Sequence, residues 1–176
     1  METIIDAALN PERSYEFVNG EPEEKEMPGA RHSGICGRLE RRLGNFVEAN
    51  NLGEVYPEAS FQIGRNERIP DLAFIAAVRL PPEGEPETKW LLVPDLAVEV
   101  ISPTDFYEKV HAKAMEYLTA GVKVVWIVSP ENQVITTYRS AINIMAFPLE
   151  GELVCEDLLP GFRCPLTEIF KNPAKK

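Results

Sequence analysis

The sequence predicts a mixed α/β (α+β) fold, with one central sheet flanked by helices and a hairpin ahead of it. Three patterns carry that expectation. An amphipathic stretch at 31–50 precedes three short strand candidates, a strand–helix–strand unit spans 95–128, and Asn19-Gly20 separates two extended arms. The order is hairpin, helix, three strands, helix, two strands, which does not describe a doubly wound parallel sheet.

Residues 1–12 read as a lead-in. Tyr15-Glu16-Phe17-Val18 meets Asn19-Gly20, the strongest two-residue hairpin signal because both turn residues tolerate positive φ. The return arm at 21–27 is acidic and holds Pro22, so it belongs at a sheet edge. Within 31–50, Ile35, Leu39, Leu43, Phe46 and Val47 recur at steps of three and four, one apolar helical stripe. Asn50-Asn51-Leu52-Gly53 ends that helix with residues suited to left-handed geometry. Strands are expected at 54–56, 60–63 and 71–75, with 64–67 as the turn between the last two. Residues 81–86 form a surface loop by their Pro and Gly content, and Trp90 leads into the run Leu96-Ala97-Val98-Glu99-Val100-Ile101.

Ser102-Pro103-Thr104-Asp105 stops that strand and opens a helix. Asp105 with Glu108 resembles a capping box, and Thr104 is the alternative cap. Gly121 ends the helix after Ala120. A buried strand at 122–128, a half-buried one at 133–138 and shorter pieces at 142–147 and 152–155 follow. The segments 160–162 and 166–170 close the chain, and 171–176 read as a frayed tail. The unit at 95–128 should be a crossover between parallel strands.

A chain of 176 residues with 44 % apolar content is read as one domain, 1–176, able to bury a core. No apolar stretch approaches the roughly 20 residues a membrane span needs. The start, Met1-Glu2-Thr3-Ile4-Ile5-Asp6, lacks a basic and then an apolar region, so no signal peptide is expected. Three cysteines without a C-x-x-C, beside two histidines, argue against a disulfide framework and a cysteine-built zinc site; a reducing, cytoplasmic setting fits. The net charge of −10 argues against nonspecific nucleic-acid binding but leaves a nucleic-acid enzyme open, since metal-binding carboxylates add to that total. Arg38, Arg41 and Arg42 form a local basic cluster whose plainest reading is a solvated helix face.

Three residues stand out against their surroundings. Glu99 interrupts an apolar strand, where an unpartnered carboxylate would cost several kcal/mol, so it has a partner or is kept for a metal or a proton. Asp71 opens another apolar strand. Alone it would be a turn aspartate, but on a neighbouring strand it can converge with Glu99 into the oxygen ligands that Mg²⁺ or Mn²⁺ require. Lys113 falls within the face defined by Phe106, Val110, Ala114, Tyr117 and Leu118 at about 100° per residue. It either snorkels along that stripe or points its ammonium at the sheet and Glu99.

The ordered set Pro70-Asp71, Glu99-Val100-Ile101-Ser102-Pro103, Lys113 with Glu116-Tyr117-Leu118, Gly121-Val122 and Val125-Trp126-Ile127-Val128 resembles the Uma-type putative restriction endonuclease family. That family is a bacterial branch of the PD-(D/E)XK nuclease superfamily. The likeness extends to Tyr15-Glu16, Asn19-Gly20-Glu21, Pro28, Arg31-His32, Leu159-Pro160-Gly161-Phe162 and Ile169-Phe170. It implies a restriction-endonuclease-like αβββαβ core, Asp71 and Glu99 as ligands of Mg²⁺ or Mn²⁺, and hydrolysis of DNA phosphodiesters. One departure matters: the superfamily lysine two residues after the glutamate is Ile101 here, so the cation must come from elsewhere, and Lys113 is the best candidate. Ser129 stands where an aspartate is expected, with no functional consequence assigned.

His32 and Glu16 are lesser candidates. His32 could carry a proton or contact phosphate, or be a structural helix-terminal histidine. Glu16 could be an outer ligand, though a solvated hairpin carboxylate is the plainer reading. The aromatic residues look core-like, without a base-stacking platform. Three function readings follow: a metal-dependent DNA endonuclease, acting as a homodimer to cut both strands; a nuclease-like fold that only binds or regulates; and a metal-free acid/base enzyme acting on sugars through Asp71 and Glu99.

Overall fold

The computed structural model describes residue 10 and residues 13–102, 105–172 and 174. The expected lead-in, residue 10 apart, lies outside the described residues, as do Thr104 and part of the tail.

Strands β1 (Tyr15–Val18) and β2 (Glu21–Glu24) form the hairpin around Asn19 at φ 53° and Gly20 at φ 87°. Helix α1 (Ala30–Ala49) buries Ile35, Leu39, Leu43 and Val47, with Phe46 packed beside them. Next come β3 (Gly53–Pro57), β4 (Phe61–Ile63), β5 (Asn66–Arg68) and β6 (Leu72–Ala76). The expected turn at 64–67 is shorter than the sequence suggested, because Asn66 and Glu67 already belong to β5. That strand escapes a hydrophobicity pattern because its side chains are polar and are held by ion pairs and hydrogen bonds. The chain continues through β7 (Leu96–Val100), α2 (Tyr107–Ala120), β8 (Val124–Ser129), β9 (Val134–Ser140) and β10 (Asn143–Phe147). It closes with β11 (Glu152–Val154), β12 (Arg163–Pro165) and α3 (Leu166–Ile169).

The main sheet has the order β10-β9-β8-β7-β6-β3, and a smaller one has the order β2-β1-β5-β4, with β2 at its edge. In the main sheet β7 and β8 run parallel across α2, and the remaining neighbours are antiparallel. Alternation divides the core. Leu72, Phe74, Leu96, Val98, Val124 and Trp126 pack with α1, α3 and the β11–β12 hairpin. Ala73, Ile75, Ala97, Val125 and Ile127 face α2 and β4. Each strand thus feeds both faces of a sheet covered on both sides.

The start of α2 corrects the expected cap. Asp105 Oδ2 accepts a hydrogen bond from the Ser102 amide at 2.7 Å, and the helix begins two residues later with Phe106 as its N-cap, without a side-chain cap. Phe106, expected on the apolar face, is exposed because it precedes the helix. The far end follows expectation, with Gly121 at φ 107° in the left-handed region. Trp90 pairs with Phe61 through an isolated bridge and packs on Tyr56 and Phe61.

Gly53 sets the join between α1 and β3. It adopts φ 149°, and a Cβ there would lie 2.0 Å from the Ile75 carbonyl oxygen and 2.8 Å from the Ala77 nitrogen. Neither backbone atom can rotate away. Gly53→Ala should therefore destabilise the protein by about 2–3 kcal/mol, at the upper part of the range for overpacking. Urea denaturation checks this, and an unchanged midpoint would contradict it.

Candidate active site

Asp71 immediately precedes β6. The register pairs Leu72 with Val98 and Ala73 with Ala97, so one step further Asp71 comes opposite Glu99. Opposed residues on antiparallel strands project to one face, which brings the two carboxylates together at the end of the sheet.

Asp71 is 4 % exposed and its carboxylate is fully engaged. Oδ1 accepts from Lys25 Nζ at 2.9 Å, and Oδ2 accepts from the Val100 amide at 2.7 Å and lies 3.1 Å from His32 Nε2. Burial alone would raise its pKa. The His32 hydrogen bond, the Lys25 charge and the Val100 amide outweigh burial and hold it at about 2. The same contact, with Cys36 behind it, raises His32 to about 10. The imidazole is therefore a cation near neutrality and donates to Asp71.

This pair defines a pH window. Asp71, depressed below 3.8, contributes stability that is present above that value and lost as pH falls toward about 2. His32, raised above 6.5, contributes stability that is complete below 6.5 and lost as pH rises through about 10. In chelator, wild-type protein should lose about 2 kcal/mol of this pair's contribution on the alkaline side, the scale of a hydrogen bond to a charged group. His32→Ala should lack that part of the decline. Urea midpoints across the alkaline range test it, and parallel curves for both proteins would reject it.

Glu99 and Lys113 form the second half of the site. Lys113 Nζ lies 3.0 Å from Glu99 Oε1 and 3.0 Å from Glu16 Oε1, bridging β7 to β1. Tyr117, one turn along α2, donates its hydroxyl to Glu99 Oε1 at 2.6 Å. Glu99 Oε2 takes no hydrogen bond from a described residue, and the side chain keeps 12 % exposure. Burial raises the Glu99 pKa, with Lys113 pulling against it and the Asp71 and Glu16 charges adding to it. Burial opposes the Lys113 charge, but Glu99 and Glu16 outweigh it and lift Lys113 to about 12. Ile101 packs in the α2-side cluster and adds no charge to this face.

Glu16 corrects the sequence expectation. It is buried, not a solvated hairpin carboxylate: Oε1 accepts from the Ile69 amide at 2.9 Å and Oε2 from Arg68 at 2.8 Å. Burial works against its charge, yet Lys113, the Ile69 amide and Arg68 together lower its pKa. Arg68 also forks onto Glu116, with Nη2–Oε2 at 2.6 Å and Nε–Oε1 at 3.1 Å. Lys25, Arg68, Tyr117 and Cys36 were not singled out from the sequence for this site. Lys25 carried a faint signal as the one basic residue in an acidic arm, and Tyr117 carried one through its four-residue spacing from Lys113.

The basic cluster on α1 is largely structural. Arg38 donates to the Ile169 carbonyl at 2.7 Å and Arg42 pairs with Glu168, so both tie α1 to α3. Ser129 accepts from Asn132 at 3.1 Å in a turn.

The oxygen donors of Asp71 and Glu99 suit a hard divalent cation, as both carboxylates share one face and Glu99 retains a free oxygen. Among the described residues no helix is long and apolar enough to cross a membrane.

Comparison with known proteins bears on this geometry. A model of the Uma2 family, described as putative restriction endonuclease, matches residues 1–167. No curated protein matches the chain. A putative nuclease belonging to DUF820 from Anabaena variabilis ATCC 29413 shares the fold, with a TM-score of 0.83, 21 % identity and 94 % of each chain covered. At that identity the likeness speaks for the fold alone, a mixed central sheet flanked by helices. Because the family model spans nearly the whole chain, membership follows: the chain belongs to the Uma2 family, described as putative restriction endonuclease.

Proposed function

We propose that this chain is a metal-dependent endonuclease that hydrolyses DNA phosphodiester bonds. The observation that carries the reading is the convergence of Asp71, Glu99 and the Lys113 ammonium at one end of the sheet. Asp71 and Glu99 would hold Mg²⁺ or Mn²⁺. When bound, such an ion supplies Lewis-acid activation of water and offsets charge at the scissile phosphate.

The protein's own groups divide the remaining work. Lys113, held as a cation between Glu16 and Glu99, orients the attacking water or stabilises charge on the phosphate. It cannot serve as a general base near neutrality with its pKa at about 12. His32 lies against Asp71 through Nε2 and so orients it, and an imidazole there could deliver a proton to the leaving oxygen. Glu16, itself held by Arg68 and the Ile69 amide, positions Lys113. A homodimer in the cytoplasm would supply two such sites for cutting a duplex.

A second reading has its own support. Lys25 and Lys113 already neutralise both carboxylates, as expected of a nuclease fold that only binds or regulates. Incubation of supercoiled plasmid with purified protein and Mn²⁺ or Mg²⁺ separates the two. Nicking that stops with chelator is the expected result. No cleavage at any salt concentration, together with no Mn²⁺ binding by calorimetry, would leave the binding module. Cleavage independent of metal would contradict both.

A further inference from the structure

We infer that His32, Cys36 and Asp71 form a binding site for a thiophilic divalent cation of the Zn²⁺ class, and that filling it withdraws Asp71 from the Asp71–Glu99 pair. The second clause rests on the reading of Asp71 and Glu99 given above; the first does not.

His32 and Cys36 lie four residues apart on α1 and so share a face. Their side chains touch, with Cys36 Sγ 3.5 Å from His32 Nδ1. The other ring nitrogen lies 3.1 Å from Asp71 Oδ2. One ligand atom from each residue falls within 4.8 Å of the others, and no other such trio of His, Cys, Asp and Glu occurs among the described residues.

The donor set selects the ion. Thiolate, imidazole and carboxylate together suit Zn²⁺ or Co²⁺, whereas Mg²⁺ keeps to oxygen. Metal–ligand lengths of about 2.0–2.3 Å in a tetrahedron put ligands roughly 3.3–3.8 Å apart. With Nε2 as the imidazole ligand, the His32–Asp71 pair is already near that spacing; Cys36 Sγ touches the other ring nitrogen and must turn by about an ångström toward Nε2 and Oδ2 to complete the set. Cys36 is only partly buried, so the site is reachable, while Cys155 and Cys164 are enclosed in the core. Binding removes one proton from the thiol and one from the imidazolium, both released to solvent. Lys25 holds Oδ1 of Asp71, so the oxygen offered to the ion is Oδ2, which keeps the Val100 amide as its second partner. Three protein ligands leave a fourth position for water.

Metal-free protein titrated with Co²⁺ alone should develop a thiolate-to-cobalt charge-transfer band that equimolar Zn²⁺ bleaches. Cys36→Ser should lose the band and His32→Ala should weaken Co²⁺ binding at least about tenfold, while Glu99→Gln should keep both. No band in wild-type protein, or a band that survives Cys36→Ser, overturns the site. Should Cys36→Ser fail to fold, alkylation of wild-type protein decides instead: Zn²⁺ must slow the reaction of Cys36, and an unchanged rate overturns the site. Sharing of Asp71 is read separately from the free Mn²⁺ resonance signal, which Zn²⁺ should raise by displacing bound Mn²⁺. Displacement failing while cobalt binds overturns the shared ligand. An absence of Mn²⁺ binding from the start speaks against the Asp71–Glu99 reading and leaves the cobalt result standing.

Discussion

Glu99→Gln should lower metal-dependent DNA cleavage on the order of 10³-fold or more, about 4 kcal/mol of transition-state stabilisation, while the protein stays folded. The folded state should survive for a structural reason. Lys113 retains Glu16 at 3.0 Å, so removing the Glu99 charge strands no buried cation. Tyr117 can still donate to the amide oxygen that replaces Oε1. Loss of the charge also relieves a carboxylate that burial already disfavours, so stability should hold or rise slightly. Asp71→Asn should cost as much activity but more stability, since His32 and Lys25 both lose an anionic partner. Plasmid nicking alongside circular dichroism decides the matter. A Glu99→Gln protein that cuts at the wild-type rate would remove Glu99 from the chemistry.

Lys113→Met has the largest expected effect on stability. Among the described residues it leaves Glu99 with Tyr117 as its hydrogen-bond donor and Glu16 without one of three donors. Breaking a buried pair from one side costs about 3–5 kcal/mol, because a charge remains without compensation. The sign with pH follows. With Lys113 gone, the Glu99 pKa rises further above the 4.5 of an unfolded glutamate. A group raised in the folded state is best tolerated when protonated, so the deficit should be small below that value and grow toward neutrality. Adding Glu99→Gln should recover about half of the loss, as neighbours in one network are coupled rather than additive. Guanidinium unfolding on both sides of that pKa measures this. Equal deficits at both would show that Lys113 acts through packing of its stem.

Much of the scaffold is visible in the sequence because its cause is local. The α1 stripe, the Asn19-Gly20 turn and the left-handed Gly121 each depend on residues a few positions apart. The placement of Lys113 on the inner face of α2 also follows from helical periodicity. Other features depend on partners far along the chain. Glu16 looks solvated until Arg68, 52 positions away, and Lys113, 97 positions away, are folded against it. Strand β5 is unreadable by hydrophobicity because Asn66, Glu67 and Arg68 are satisfied by Glu116, Ser60, Lys89 and Glu16. The Asp105 cap fails for a different reason: its carboxylate has a nearer use in the turn at Ser102.

The hairpin at the start of the described chain supplies Glu16, and the segment just after it supplies Lys25, one for each half of the site. Its β1 strand joins β5 through a single register pair, Phe17 with Glu67. The seating of this small arm and the charge state of the site are therefore coupled. When the arm is seated, it delivers an anion to Lys113 and a cation to Asp71. The main sheet thus fixes where the charges stand, and a peripheral arm governs how strongly each is held.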